Sequence, residues 1–165
     1  GIEDKRMRVG FGYDIHQLKA GRPCILGGVH IESDLGPDGH SDADVLIHAL
    51  MDAMLGAAGL RDIGYYFPPE DDQYKGISSM LLLEKVNFLL KERGLQAYNI
   101  DIMVISETPK LKPHIDMMKS NLQSILEIPL DRISIKATTN EMLGAIGRRE
   151  GIAAQAVVSV YEGEI

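Results

Sequence analysis

Residues 8–16 alternate Val9, Phe11, Tyr13 and Ile15 with Gly10, Gly12, Asp14 and His16. A period of two predicts a β-strand, because successive side chains of a strand leave from opposite faces. One parity is apolar. The other opens with two glycines, which leave room for a second backbone or a ligand to come close. It closes with a carboxylate and an imidazole two residues apart, so both can reach one point in space.

The remaining segments follow from period and punctuation. Residues 24–26 and 29–31 flank Gly27-Gly28, a hairpin turn. A helix is predicted from Ser41 or Asp42, both good caps, to about Ala58 ahead of Gly59. A polar, turn-rich loop covers 61–76. A second helix covers about 78–93, stopped by Gly94, and a third runs from Pro113 to about Glu127. Strands are predicted over 99–106, 133–138 and 152–161. The order gives an α/β (α+β) sandwich, a mixed sheet covered on one face by helices. The last strand is apolar on both parities across 153–160, which predicts burial on both faces. The helices are too few to cover both, so a second subunit is expected to cover the other face.

With 165 residues, the chain fits one domain that buries roughly 70% of its unfolded surface. It is read as a single domain over 7–165 behind a native tail or cloning remnant at 1–6. The net charge of -7 lacks the basic stripe of a nucleic-acid binder, although a metal ion can reverse the field inside one pocket. The single cysteine, Cys24, excludes an intramolecular disulfide and fits a reducing cytoplasm. The longest apolar runs, such as 80–83, are far too short to span a membrane.

His48 is the best third partner for Asp14 and His16. It sits in Asp44-x-x-x-His48-x-x-x-Asp52, so either acid, one turn away on the helix, is expected to accept from its free ring nitrogen. Two histidines and a carboxylate with one position open is a catalytic zinc pattern that also suits iron or manganese.

Gly12-Tyr13-Asp14-Ile15-His16, Gly27-Gly28-Val29 and His40-Ser41-Asp42-Ala43-Asp44-Val45 with His48 resemble the 2-C-methyl-D-erythritol 2,4-cyclodiphosphate synthase family. The likeness runs on through Leu55-Gly56-Ala57-Ala58, Asp62-Ile63-Gly64, Thr108-Pro109-Lys110-Leu111 and Lys136-Ala137-Thr138-Thr139-Asn140-Glu141, to Gly147-Arg148 and Glu150-Gly151-Ile152-Ala153. The resemblance implies a homotrimer with active sites at its interfaces. It also implies a cytidine diphosphate substrate, 4-diphosphocytidyl-2-C-methyl-D-erythritol 2-phosphate, cyclised with loss of CMP.

By the same resemblance Asp14, His16 and His48 hold zinc or another divalent ion. Glu141 contacts a magnesium or manganese ion carried by the substrate diphosphate. His40 and Thr139 stabilise the transition state. Ser41, Asp62, Ile63, Gly64, Phe67, Asp71 and Arg148 face the erythritol phosphate. Ser106, Thr108, Pro109, Lys110, Leu111, Lys112 and Thr138 form the cytidine pocket.

The implied reaction is an intramolecular phosphoryl transfer in which the 2-phosphate attacks the β-phosphorus. Its nucleophile is already an anion, so no Ser-His-Asp arrangement is needed. Orientation of a tethered nucleophile lowers a barrier by as much as ~7–11 kcal/mol, against about 10²–10⁴-fold from acid–base help. Positioning therefore dominates.

The chain departs from the family pattern at Ala145, Ile146 and Arg149, where an aromatic, a threonine and a glycine are usual, and at Pro69 in place of an acid. The aromatic lines a trimer-axis cavity for isoprenoid diphosphates in the family, so that property is the one its loss weakens. A zinc phosphoesterase would instead add water, and an idle trimeric binding module would turn nothing over.

Overall fold

The computed structural model describes residues 6–163. The tail expected over 1–6 lies outside the described residues except for Arg6, whose carbonyl accepts from Glu162 N at 3.1 Å. The strands are β1 (Met7–Ala20), β2 (Cys24–Leu26), β3 (Val29–Ile31), β4 (Leu35–Pro37), β5 (Leu95–Ile105), β6 (Ile133–Thr138) and β7 (Gly151–Glu162). The helices are α1 (Val45–Ala57), α2 (Ile63–Tyr66), α3 (Ser79–Glu92), α4 (Ile115–Leu126) and α5 (Gly144–Gly147).

Five strands form one sheet in the order β4-β1-β7-β5-β6, antiparallel except for the parallel β5–β6 pair. The mixed sheet covered on one side by helices is the architecture expected. β2 and β3 make the separate hairpin, with Gly27 and Gly28 at φ 57° and 74°. A tight two-residue turn needs positive φ at both central positions, which glycine adopts without steric cost.

α1 lies directly on β1 and β7 and is apolar almost all round, as a helix enclosed on every side must be. A Cβ on Gly10 would stand 1.8 Å from the Ala53 carbonyl oxygen, and one on Gly12 1.9 Å from that of Ala49. Glycine in the strand faces alanine one turn apart in the helix, and the two backbones touch. The room left by the first strand's glycines is thus taken by a helix backbone. α3 packs over α1 and α4, and α4 seals β6.

α1 begins two or three residues later than expected, with Asp44 as its cap in place of Ser41 or Asp42. The fully buried Asp44 carboxylate accepts from Ile47 N at 3.2 Å and from Gly27 N and Gly28 N at 2.9 and 2.8 Å. One side chain therefore caps the helix and holds the hairpin turn. Burial, and then neighbouring Asp42, push its pKa up to about 6 against the pull of those three donors. Residues 41–43 stay outside the helix because Asp42 spends its oxygens on Ser79 N and Asp44 N, while Ala43 sits at φ 58°.

β7 shows one face buried and the other only partly so. Ile152, Ala154, Ala156, Val158 and Val160 lie under the helices, whereas Val157 on the far side is 45% exposed. Beside it β1 presents Val9, Phe11, Tyr13 and Ile15, at 69%, 60%, 47% and 47% exposure. A single helical layer covers a single face. The turn-rich segment 61–76 also holds a helical turn, α2, capped by Asp62, and β4 and α5 were not legible as elements.

Replacing Gly10 with alanine forces α1 off β1. The variant is expected to lose about 3 kcal/mol, at the upper end of ordinary overpacking costs. Urea unfolding should show a lower midpoint with unchanged slope.

Candidate metal centre and active site

The contact of α1 with β1 sets His48 above the strand positions carrying Asp14 and His16. Asp14 Oδ2 lies 3.0 Å from His48 Nδ1 and 2.9 Å from His16 Nε2, and the two ring nitrogens are 3.3 Å apart. One oxygen and two nitrogens converge on a point, in a group able to hold a metal ion.

The far side of each ring is also engaged. His16 Nδ1 sits 3.0 Å from the Asp38 carbonyl oxygen, which only accepts, so Nδ1 donates and Nε2 is the nitrogen turned to Asp14 and available to a metal. His48 Nε2 lies 3.0 Å from Ser79 Oγ and 3.1 Å from Ser41 Oγ. The donor set and these outward bonds fit a divalent ion of intermediate softness with a coordination position to spare.

The acids expected at the far nitrogen of His48 do not reach it. Asp44 is consumed by backbone N–H groups, and Asp52 Oδ1 accepts from Ile63 N at 2.8 Å to anchor α2. Two serines take the place assigned to the acids. Neither Ser79 nor Asp38 carries a motif signature; Ser79 reads from sequence only as part of a helix start.

Burial works against the Asp14 carboxylate, but hydrogen bonds from His16 and His48 outweigh it and hold its pKa down to about 2. Burial likewise opposes the His16 imidazolium. The bond and charge of Asp14, helped by the Asp38 carbonyl, overcome that and raise the His16 pKa above 6.5.

Asp14, His16 and His48 line a hollow of about 240 Å³ with His40, Ser41, Ile63, Gly64 and Phe67. His40 Nε2 donates to the Asp71 carbonyl oxygen at 2.9 Å, so Asp71 meets the site through its backbone. The Asp71 carboxylate instead accepts from Gln73 N at 3.1 Å and Gln73 Nε2 at 2.7 Å. Asp62 caps α2 through Tyr65 N at 3.0 Å and is absent from the lining, though the Ile63 and Gly64 it positions are present.

A second hollow of about 180 Å³ gathers Ser106, Pro109, Lys110, Leu111, Lys112, Thr138 and Thr139. Thr108 lines a neighbouring hollow with Pro109, Lys110 and Arg149, and its carbonyl accepts from Ser106 Oγ. Glu141, at φ 53°, is exposed and reaches neither hollow; its N–H donates to Thr139 Oγ1 at 3.2 Å. Arg148 pairs with Glu150 at 2.6 Å in solvent, also away from both.

The two hollows stand at the same end of the sheet. Pairing sets Ile15 beside Ala153, Ala153 beside Ile105 and Ile105 beside Thr138. Three strand spacings separate the outer members, roughly 14 Å.

The fold and site define a class: a mixed α/β sheet carrying a half-buried Asp/His/His group in a pocket. Residues 7–161 match the YgbB family, and the chain belongs to that family. It is 59% identical to 2-C-methyl-D-erythritol 2,4-cyclodiphosphate synthase of Synechococcus elongatus over 152 residues, 92% of this chain and 95% of that one. The Cytophaga hutchinsonii synthase is 54% identical over 152 residues, covering 92% and 96%. These relatives are lyases.

Among solved structures, a CDP-bound 2C-methyl-D-erythritol-2,4-cyclodiphosphate synthase superposes with a TM-score of 0.84 at 38% identity, over 92% of this chain and 98% of that one. The bifunctional IspDF of Campylobacter jejuni gives a TM-score of 0.94 at 42% identity. There the match covers 98% of this chain but spans only 44% of the bifunctional protein.

The shifted pKa values set a stability window for the metal-free protein. A depressed carboxyl stabilises the fold above its unfolded pKa near 3.8, and the gain is lost as pH falls toward about 2. A raised imidazole stabilises below its unfolded 6.5, and the gain is lost as pH rises through the higher folded value. With a chelator present, the stability gap between the native chain and Asp14→Asn should be widest between pH 4 and 6.5 and close toward pH 2. Urea titrations across this range measure it.

Proposed function

We propose that this chain cyclises 4-diphosphocytidyl-2-C-methyl-D-erythritol 2-phosphate to 2-C-methyl-D-erythritol 2,4-cyclodiphosphate with release of CMP, a step of the non-mevalonate route to isoprenoid precursors. The observation that carries the reading is the convergence of Asp14, His16 and His48 on one point at the floor of a hollow that also holds His40 and Ser41. The naming of relatives at 54–59% identity supports it.

Zinc or a similar ion would be held by Asp14, His16 and His48, and magnesium or manganese on the substrate diphosphate by Glu141; both would supply positive charge where two anionic phosphates must meet. The chain's own residues do the rest. Ser41, Ile63, Gly64 and Phe67 enclose the erythritol end, with Asp62 and Asp71 shaping the loop that carries them.

Thr139 Oγ1 accepts from Glu141 N, so its hydroxyl hydrogen remains for a phosphoryl oxygen. His40 is oriented through Nε2 by the Asp71 carbonyl, so it can donate from Nδ1 only as the imidazolium. Ser106, Thr108, Pro109, Lys110, Leu111, Lys112 and Thr138 suit the cytidine, in keeping with the CDP complexes of two solved relatives. For Arg148 to meet the erythritol phosphate it must exchange its ion pair with Glu150.

The active unit in this reading is a homotrimer of the single domain 7–165, working in the cytoplasm. Two features favour it. The apolar row of Val9, Phe11, Tyr13, Ile15 and Val157 needs cover, and a neighbour's sheet can supply it. The metal hollow and the cytidine hollow are also separate in one chain, and packing at an interface joins one to its neighbour's counterpart. Among the described residues no helix is long and apolar enough to cross a membrane.

Purified protein given the diphosphocytidyl substrate with zinc and magnesium should form CMP and the cyclic diphosphate in equal amounts by phosphorus NMR. His48→Ala should cut the rate by at least about 100-fold. CMP with an open-chain diphosphate would indicate water as nucleophile and a phosphoesterase. No turnover by folded, metal-loaded protein would indicate a binding module.

A further inference from the structure

A neutral imidazole offers a metal only the nitrogen that carries no proton, so something must decide which nitrogen of His48 that is. Asp14 accepts from Nδ1 in the metal-free protein but would be a fellow ligand beside a bound ion, so it cannot fix the tautomer of the loaded site. The decision lies behind the ring, in a chain of bonds joining the loop before α1 to the first residue of α3.

Asp42 accepts from Asp44 N at 3.1 Å through Oδ1 and from Ser79 N at 2.8 Å through Oδ2. Both oxygens are thus acceptors, and the Ser79 hydroxyl also rests against Oδ1. Toward a carboxylate a hydroxyl can only donate. The single Ser79 proton therefore points at Asp42, and a lone pair is what Ser79 turns toward His48 Nε2, 3.0 Å away. An acceptor there requires a proton on Nε2. Nδ1 is then the nitrogen whose lone pair a metal would take, the hydrogen it turns to Asp14 in the metal-free protein giving way to the ion, and it faces Asp14 and His16 Nε2.

Ser41 Oγ also touches His48 Nε2, at 3.1 Å, but has no carboxylate to fix its own proton and can donate or accept. Ser79 is fully buried, so no water competes for its bond.

We propose that Asp42 and Ser79 are positioning residues for the metal centre, fixing His48 as an Nδ1 ligand by directing hydrogen bonds Nε2–H to Ser79 Oγ and Ser79 Oγ–H to Asp42. The inference rests on the metal-centre reading above. It makes the entry of α3 part of the site, although neither residue touches substrate or metal. His16 reaches the opposite arrangement, Nε2 inward, through the Asp38 carbonyl.

The test measures zinc affinity by chelator competition, together with the His48 Nε2–H signal of zinc-loaded, ¹⁵N-histidine-labelled protein. Ser79→Ala should bind zinc 10–100-fold more weakly, the range typical of lost outer partners of metal-bound histidines. Its Nε2–H should exchange faster and move upfield. Ser79→Thr, which keeps the hydroxyl, should restore both. Asp42→Asn, which can present an N–H to Ser79, should weaken binding in the same direction. Thermal unfolding of each metal-free variant separates a folding loss from a loss of ligand geometry.

Ser79→Ala and Asp42→Asn with native zinc affinity and an unchanged Nε2–H signal would overturn the inference while leaving the metal centre standing. A native protein that takes up no zinc would overturn the metal reading and the inference together.

Discussion

The contact of two backbones, β1 against α1, is the constraint on which the rest of the molecule depends. Gly10 and Gly12 have no Cβ, so the carbonyls of Ala53 and Ala49 come to distances no other residue pair would permit. The next two positions along the same strand face are Asp14 and His16, and directly before Ala49 on the helix stands His48. The metal group is therefore an extension of the packing contact. A helix held one side chain's width further away would carry His48 out of reach of Asp14.

Such a site is built mostly from hydrogen-bond direction. Each histidine has one nitrogen turned inward and the other tied to the scaffold, His16 to the Asp38 carbonyl and His48 to two hydroxyls. Asp44 secures the start of α1 with a buried carboxylate accepting three N–H groups. Without them a charge there would be costly. With them α1 begins at a fixed residue, and His48 follows one turn later.

Much of this was legible in the sequence because it depends on local rules. The alternation in β1, the glycine pair between β2 and β3, and Gly94 after α3 each mark a conformation demanded by a few neighbouring residues. Asp14 and His16 were legible because the strand period puts them on one face, and His48 joined them through the family resemblance rather than through any local period. What escaped depends on tertiary placement. A sequence cannot say that Asp44 will turn to the hairpin and leave His48 to Ser79, which is 31 positions away. Nor could burial on both faces of β7 be told from apolar parity alone, since Val157 is apolar yet 45% exposed. The short α2 lay hidden in 61–76 because its start depends on Asp62 and its anchorage on Asp52.

The central claim is that α1 and β1 together present two imidazole nitrogens and one carboxylate oxygen to a single ion. X-ray absorption at the zinc edge of the loaded protein tests it most directly. The account predicts a first shell of nitrogen and oxygen at about 2.0–2.2 Å with the scattering of two imidazole rings, falling to one ring in His48→Ala. A native spectrum showing one ring or none would contradict it.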